Sequence, residues 1–381
     1  MKPAVFATGV AAQPASLRIT WNDGTAQEFA SVWLRDNLPE DRDAHSGQRL
    51  VDVMDIPADP RIRSATLAGE TLDITWDEDG RRTAFPLAWL HRAAGGSARP
   101  ELHLRYWLEG AGLDRQRDFA GTHYPELADR TPARLTWLTR LLQDGIGFVS
   151  GLPQREHAIL EATALIGYVP ETNYGRVFDV RAVPQPENLA YSDLGLGLHT
   201  DNPYREPVPG FQALHTLLAS PDGGDSLFAD GFALAGHLRS IDPAAFDLLA
   251  RTPVPFLYQA ASADLYAERP LIELSCTDEV IAVNYNNRSI RPLRLPAREC
   301  TAFYAAYRRF AGLLREPRFQ LATRLEDGDL VVFDNRRVLH GRTGFTSARH
   351  PRHLQGCYLT RDSVYSMTAV LRRQLDGGAR P

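Results

Sequence analysis

Gly197-Leu198-His199-Thr200-Asp201, answered far downstream by Leu339-His340-Gly341-Arg342, is the part of this 381-residue chain whose reading decides the fold. Alternate residues of an extended segment share a face, so His199 and Asp201 project together, and a distant His340 can close on the same ion. Two imidazoles and one carboxylate occupy half of an octahedron and leave positions open. That is the facial triad of non-haem iron(II) chemistry. A lone His-x-Asp is a common loop sequence. His340 gives it weight, because it follows Leu330-Val331-Val332-Phe333-Asp334, which reads as a buried strand entered from the turn Gly328-Asp329. Strands that carry such ligands need a sheet curved enough to surround an ion, with helices packed outside it. A double-stranded β-helix, or jelly roll, is predicted.

The flanking sequence supports a mixed domain. Thr131-Pro132-Ala133-Arg134-Leu135 opens a helix with Thr131 as N-cap and Pro132 at the first helical position, and it leads into the strand candidate Gly145-Ile146-Gly147-Phe148-Val149. A strand is expected at 280–283 and an amphipathic helix at 297–314. The first hundred residues differ. Leu17-Arg18-Ile19-Thr20-Trp21-Asn22-Asp23-Gly24 is echoed by Leu72-Asp73-Ile74-Thr75-Trp76-Asp77-Glu78-Asp79-Gly80, and each is followed by Trp-Leu, at Trp33-Leu34 and Trp89-Leu90. Each unit reads as a β-hairpin, and the breaker-rich Ala93-Ala94-Gly95-Gly96-Ser97 as a linker. The fold class expected is α+β, with a small β-rich N-terminal domain over residues 1–96. Residues 97–381 then form a jelly-roll catalytic domain with flanking helices.

A hydrophobic content of 44% allows a large core, and a net charge of −5 without a basic stripe argues against nucleic acid as a partner. Met1-Lys2-Pro3 is followed by no sustained apolar run, and no stretch is long enough to span a bilayer. Cys276, Cys300 and Cys357 form no CxxC pair and are odd in number, which fits a reduced, cytoplasmic setting.

Arg352 lies twelve positions after His340, a spacing that returns the chain on a neighbouring strand. An oxygenase that uses 2-oxoglutarate needs a fixed bidentate cation for the remote carboxylate, and guanidinium matches that geometry where ammonium does not. Arg352 is the candidate. Gly223-Gly224-Asp225-Ser226 would bring the Ser226 hydroxyl to the same carboxylate.

These pieces together resemble γ-butyrobetaine hydroxylase and its relatives, within the taurine-dioxygenase-like group of iron(II)/2-oxoglutarate oxygenases. The resemblance covers nearly the whole chain. It runs from Trp33-Leu34-Arg35-Asp36-Asn37 through Leu198-His199-Thr200-Asp201-Asn202-Pro203 and Gly223-Gly224-Asp225-Ser226. It continues through Phe333-Asp334-Asn335 and Leu339-His340-Gly341-Arg342 to Arg352-His353-Leu354-Gln355-Gly356-Cys357-Tyr358. It implies His199, Asp201 and His340 as iron ligands, Arg352 as the 2-oxoglutarate anchor, dioxygen as the other co-substrate, and a homodimer in which the N-terminal domain helps assembly. Tyr174, Phe178, Tyr191 and Tyr358 align with the family's cage for a trimethylammonium group. Such a group has no N–H to donate and is held mainly by aromatic faces, each worth about 0.5–2 kcal/mol. Asn188, three before Tyr191, is a polar lining candidate, and the family places an Asn of Asn284-Tyr285-Asn286-Asn287-Arg288, here taken as Asn287, near the substrate tail.

There is one departure. Family members commonly hold a structural zinc through three cysteines just after Trp-Leu-Arg-Asp-Asn and a histidine near the second hairpin. Here the first stretch reads Leu38-Pro39-Glu40-Asp41-Arg42-Asp43-Ala44-His45, and the second hairpin offers Asp79-Gly80. His45 and His91 alone cannot complete a tetrahedral site. No structural zinc is expected.

Arg288 has two readings: an outward strand-end charge, or a complement to a highly charged substrate tail. In γ-butyrobetaine the oxidised carbon is the second from nitrogen. A cage at fixed distance from iron would present that same carbon in 2-(trimethylammonio)ethylphosphonate, where the phosphonate is attached directly to it. The expected reaction is hydroxylation of a trimethylammonium zwitterion. Arg288 and the diverged N-terminal domain favour the phosphonate, with γ-butyrobetaine hydroxylation to L-carnitine as the alternative. Three other readings share parts of the pattern. A zinc metallohydrolase would have no use for Arg352, a quaternary-ammonium binding protein none for all three ligands, and an oxygenase of a sulfonate none for the aromatic residues.

Overall fold

The computed structural model describes residues 6–94, 102–181, 194–345 and 352–377. The chain divides into two compact units, with the break between Glu101 and Leu102. The N-terminal unit is a doubled motif. Strands Ala7–Ala12, Ser16–Trp21 and Ala26–Ala30 form an antiparallel sheet followed by the helix Ser31–Asp36, and the pattern recurs as Ile62–Ala68, Thr71–Trp76 and Arg82–Pro86 followed by Leu87–Ala94. Each expected hairpin thus has a third strand. The physical reason lies in the central strands: Leu17, Ile19 and Trp21, and likewise Leu72, Ile74 and Trp76, are buried along one face, and a strand in that position needs a partner on both edges. Trp33 and Trp89, equivalent in the repeat, stack with ring centroids 5.6 Å apart.

Where the resemblance implies a zinc, this chain carries an ionic cluster. Arg81 pairs with Asp41 at 2.6 Å and Glu40 at 3.3 Å, and the buried Arg35 pairs with Asp79 at 2.6 Å. His91 lies edge-on to Trp21, and His45 is exposed.

The second unit is built on two sheets. The larger has the order Ala120–His123, Ile146–Ser150, Leu330–Asp334, Phe211–Leu218, His353–Leu359, Phe178–Arg181; its first pair is parallel and the rest antiparallel. The smaller has the order Leu196–His199, Val338–Arg342, Ser226–Asp230, Leu321–Thr323. Side-chain alternation sorts the residues into layers. Phe148, Phe228, Val331, Phe333 and Leu354 come from both sheets and form one cluster between them. On the outer face of the larger sheet, Phe211, Ala213, Val332, Cys357 and Leu359 pack with residues of the helices Thr131–Asp144, Ala158–Ala164 and Arg361–Leu375. Outside the smaller sheet, Ala229 and Leu339 pack with Gly231–Ile241, Pro243–Arg251 and Ala297–Arg315. This is a jelly roll with flanking helices.

The helix that begins at Thr131 has Arg130 as its N-cap, not Thr131. Pro132 tolerates either of the first helical positions because it lacks only an N–H that the helix leaves unpaired there. Gly341 answers a steric demand. A Cβ at this position would stand 2.5 Å from the carbonyl oxygen of Leu196, so glycine lets the strands that carry His199 and His340 approach. Among the described residues, no helix is long and apolar enough to cross a membrane.

Candidate active site

His199 ends the edge strand Leu196–His199, and His340 lies on Val338–Arg342. The two are direct partners in the antiparallel ladder, which sets their ring centroids 4.3 Å apart. Asp201 follows two residues after His199. Its carboxylate oxygens lie 3.3 Å from His199 Nε2 and 3.8 Å from His340 Nε2. One ligand atom from each of the three residues lies within 4.8 Å of the others, the one such cluster among the described residues.

Neighbouring groups hold His199 and Asp201 in place. His199 Nδ1 lies 2.9 Å from the Gly197 carbonyl oxygen, so this nitrogen carries the proton and Nε2 keeps its lone pair for a metal. The Asp201 N–H donates to Asn335 Oδ1 at 2.7 Å, while Asn335 Nδ2 donates to the Asp201 and Pro209 carbonyls at 3.0 and 3.2 Å. The Tyr358 hydroxyl donates to Asp201 Oδ2 at 2.9 Å. Burial pushes the pKa of His340 down to about 3, and His199 beside it acts in the same direction. The ring is therefore a neutral imidazole. Burial opposes ionisation of Asp201, but its surroundings, including the permanent charge of Arg288, hold the carboxyl below its usual range. Two imidazoles and one carboxylate that converge in this way fit a ferrous ion.

A pocket runs between the sheets from this cluster. The larger sheet lines it with Phe178, Val180, Gln212, Leu214, Leu354 and Tyr358, and the smaller with Leu196, Ser226, Phe228 and Arg342 beside the two histidines. Arg342 and Ser226 face each other in the ladder, two residues along from the pair His340 and Phe228, which is ~7 Å of strand rise. Arg352 lines the same end. Burial pushes its pKa down to about 10, Arg342 adds to the effect, and Asp225 opposes it. A buried guanidinium at that cost favours an anionic partner.

Tyr174, Asn202 and Arg288 line the pocket from connecting segments. Phe178 lies against Tyr358 at 5.2 Å between ring centroids and against Tyr174 at 6.4 Å. Glycine permits this arrangement, since a Cβ on Gly356 would stand 2.4 Å from the Phe178 ring. Arg288 is exposed and makes no hydrogen bond or ion pair with the described residues, yet it lies close enough to protein that desolvation lowers its pKa. Asn287 is not brought to the pocket. It is exposed, and its Oδ1 accepts from the Tyr307 hydroxyl at 2.9 Å. Tyr191 and Asn188 lie outside the described residues.

Sequence reasoning missed Asn202, Gln212 and Arg342. Asn202 Nδ2 and Gln212 Oε1 are buried without a hydrogen-bond partner among the described residues. A polar residue inside an otherwise apolar strand, as in Phe211-Gln212-Ala213-Leu214, is the signal that could have found the second.

Residues 110–358 match the family model described as "Taurine catabolism dioxygenase TauD, TfdA family", and the chain belongs to that family of dioxygenases. Residues 10–91 match "Gamma-butyrobetaine hydroxylase-like, N-terminal". Among curated relatives, the chain is 36% identical to the γ-butyrobetaine dioxygenase of Pseudomonas sp. (strain AK-1), with 97% of this chain and 95% of that one covered. It is 31% identical to "Dioxygenase str8" of Strobilurus tenacellus, over 91% and 86% of the two chains. To the γ-butyrobetaine dioxygenase of Homo sapiens it is 28% identical, over 95% and 96%. The protein is an Fe(II)/2-oxoglutarate-dependent hydroxylase. Iron supplies the oxidative chemistry when bound, and the protein supplies placement.

Proposed function

We propose that this enzyme hydroxylates a trimethylammonium zwitterion at the carbon two from nitrogen, and that it prefers 2-(trimethylammonio)ethylphosphonate to γ-butyrobetaine. In this reading His199, Asp201 and His340 hold the iron, and Arg352 with Ser226 takes the remote carboxylate of 2-oxoglutarate. Phe178, Tyr174 and Tyr358 surround the trimethylammonium group. The relatives named as γ-butyrobetaine dioxygenases support the substrate class.

The observation that carries the phosphonate preference is Arg288, a guanidinium without an ion-pair partner among the described residues on the same pocket as the triad and the aromatic rings. A phosphonate on the reacting carbon puts its charge close to the metal, within reach of a group on that wall. Asn202 Nδ2, which lines the same pocket buried and without a partner among the described residues, supplies a second donor. A charge-assisted hydrogen bond contributes about 1.5–3 kcal/mol, or roughly 10- to 150-fold in affinity. Steady-state comparison of the two substrates tests the reading. The phosphonate is expected to have the higher kcat/KM, and Arg288→Gln to lower it by at least tenfold while γ-butyrobetaine changes little. Equal or faster turnover of γ-butyrobetaine by the wild type would remove the phosphonate preference. A homodimer and a cytoplasmic location belong to the same proposal, and the first is tested by the mass of the protein in solution.

A further inference from the structure

The aromatic wall of the pocket is hydrogen-bonded to the segment that carries the metal's carboxylate ligand, at two places. One is direct, through the Tyr358 hydroxyl on Asp201 Oδ2. The other passes through Tyr204. This residue is 6% exposed, and its hydroxyl donates to Asn202 Oδ1 at 2.6 Å. The Tyr174 and Tyr204 hydroxyl oxygens are 3.3 Å apart. A phenol has one hydrogen, and that of Tyr204 is committed to Asn202, so Tyr174 is the donor in this contact. The chain therefore has a direction, from Tyr174 to Tyr204 to Asn202. It fixes the Asn202 amide, leaving Nδ2 on the opposite side. Asn202 is covalently next to Asp201 and has a left-handed backbone with φ of 54°, a conformation that Asn tolerates better than most residues. Tyr258 backs the relay, stacked on Tyr204 at 5.2 Å and edge-on to Tyr174 at 5.7 Å.

We propose that Tyr204 is a positioning residue that couples occupancy of the aromatic pocket to the metal-ligand segment, by linking the orientation of the Tyr174 ring to Asn202 beside Asp201. The inference rests on the trimethylammonium reading above. A cation seated against Tyr174 restricts that ring, the hydroxyl chain passes the restriction to Asn202, and the backbone at Asp201 tightens. Without substrate the segment is looser. The relay thus gives the pocket a way to report substrate to the metal over two hydrogen bonds.

The test is Tyr204→Phe, which keeps the ring and removes the hydroxyl. Iron-loaded enzyme with 2-oxoglutarate is titrated anaerobically with 2-(trimethylammonio)ethylphosphonate and with γ-butyrobetaine, and the metal-to-ligand absorption band is followed. In the variant, half-maximal perturbation should need about three- to tenfold more substrate, the effect of one lost hydrogen bond. The 2-oxoglutarate dissociation constant should stay within twofold, and succinate released per hydroxylated product should rise. A merely structural role would weaken both ligands together and lower the melting temperature in proportion, and that outcome overturns the coupling. A responsive wild type with an identically responsive Tyr204→Phe enzyme also overturns it and leaves the substrate reading intact. A wild-type band indifferent to both compounds overturns the substrate reading instead.

Discussion

Replacing Asn335 by alanine should separate the scaffold of the metal site from its ligands. Asn335 is fully buried and touches no candidate metal ligand atom, yet its side chain makes three hydrogen bonds, two to the backbone of Asp201 and one to Pro209. At about 1 kcal/mol net for each buried hydrogen bond, the variant should lose about 3 kcal/mol of stability. Groups that support metal ligands from behind typically contribute 10- to 100-fold to metal affinity, and Asn335→Ala should fall in that range. Asn335→Asp keeps an acceptor for the Asp201 N–H but sets a buried carboxylate oxygen against the Asp201 and Pro209 carbonyls, so it should lose at least as much as alanine. Urea denaturation of the metal-free protein measures the first quantity, and competition for Co(II) against a chromophoric chelator measures the second. If Asn335→Ala lowers the denaturation midpoint while cobalt affinity stays within twofold of wild type, the residue supports the fold and does not position Asp201.

Other outcomes follow from single contacts. Arg352→Lys should raise the 2-oxoglutarate KM by at least tenfold with the trimethylammonium KM little changed, because an ammonium cannot reproduce a bidentate grip; an unchanged 2-oxoglutarate KM would assign the anchor elsewhere. Gly356→Ala would set a Cβ 2.4 Å from the Phe178 ring, so it should weaken substrate binding and spare 2-oxoglutarate, and equal losses for both would refute a local effect. His215 is fully buried with neither ring nitrogen hydrogen-bonded among the described residues, and burial pushes its pKa down to about 4 against a weaker opposing pull from Asp329. The unfolded chain binds that proton near pH 6.5, so the contribution to stability is complete above pH 6.5 and is lost as the pH falls toward 4, by roughly 3 kcal/mol. His215→Leu should flatten this acid limb in denaturation midpoints, and a wild-type slope in the variant would refute the assignment.

The metal cluster was legible because it depends on parity and register, which sequence carries. His199 and Asp201 share a face at spacing two, and His340 sits on a strand that announces itself by an apolar run. The ladder pairing of His199 with His340 then follows from strands that must meet at one ion. The third strand of the first N-terminal repeat was not legible, because Ala7–Ala12 consists of Ala, Thr, Gly and Val with no alternation to mark a buried face. Asn287 was placed at the tail by likeness of segment, but at the end of a short strand one residue decides the direction. Asn286 is the buried neighbour, and its Nδ2 donates to the Thr200 carbonyl.

Asn202 and Gln212 escaped for a different reason. Their importance lies in a hydrogen-bonding group that no described protein atom meets, a property of three-dimensional surroundings and not of spacing. Arg288 lies between these cases: its charge was visible in the sequence, but the side to which it turned was not, and its place on the pocket wall is what gives an extra cation beside the tail a physical consequence. A guanidinium facing outward would tune solubility. On the proposed reading, the same guanidinium facing a pocket lined by a carboxylate and aromatic rings would bear on which anion can sit on the oxidised carbon.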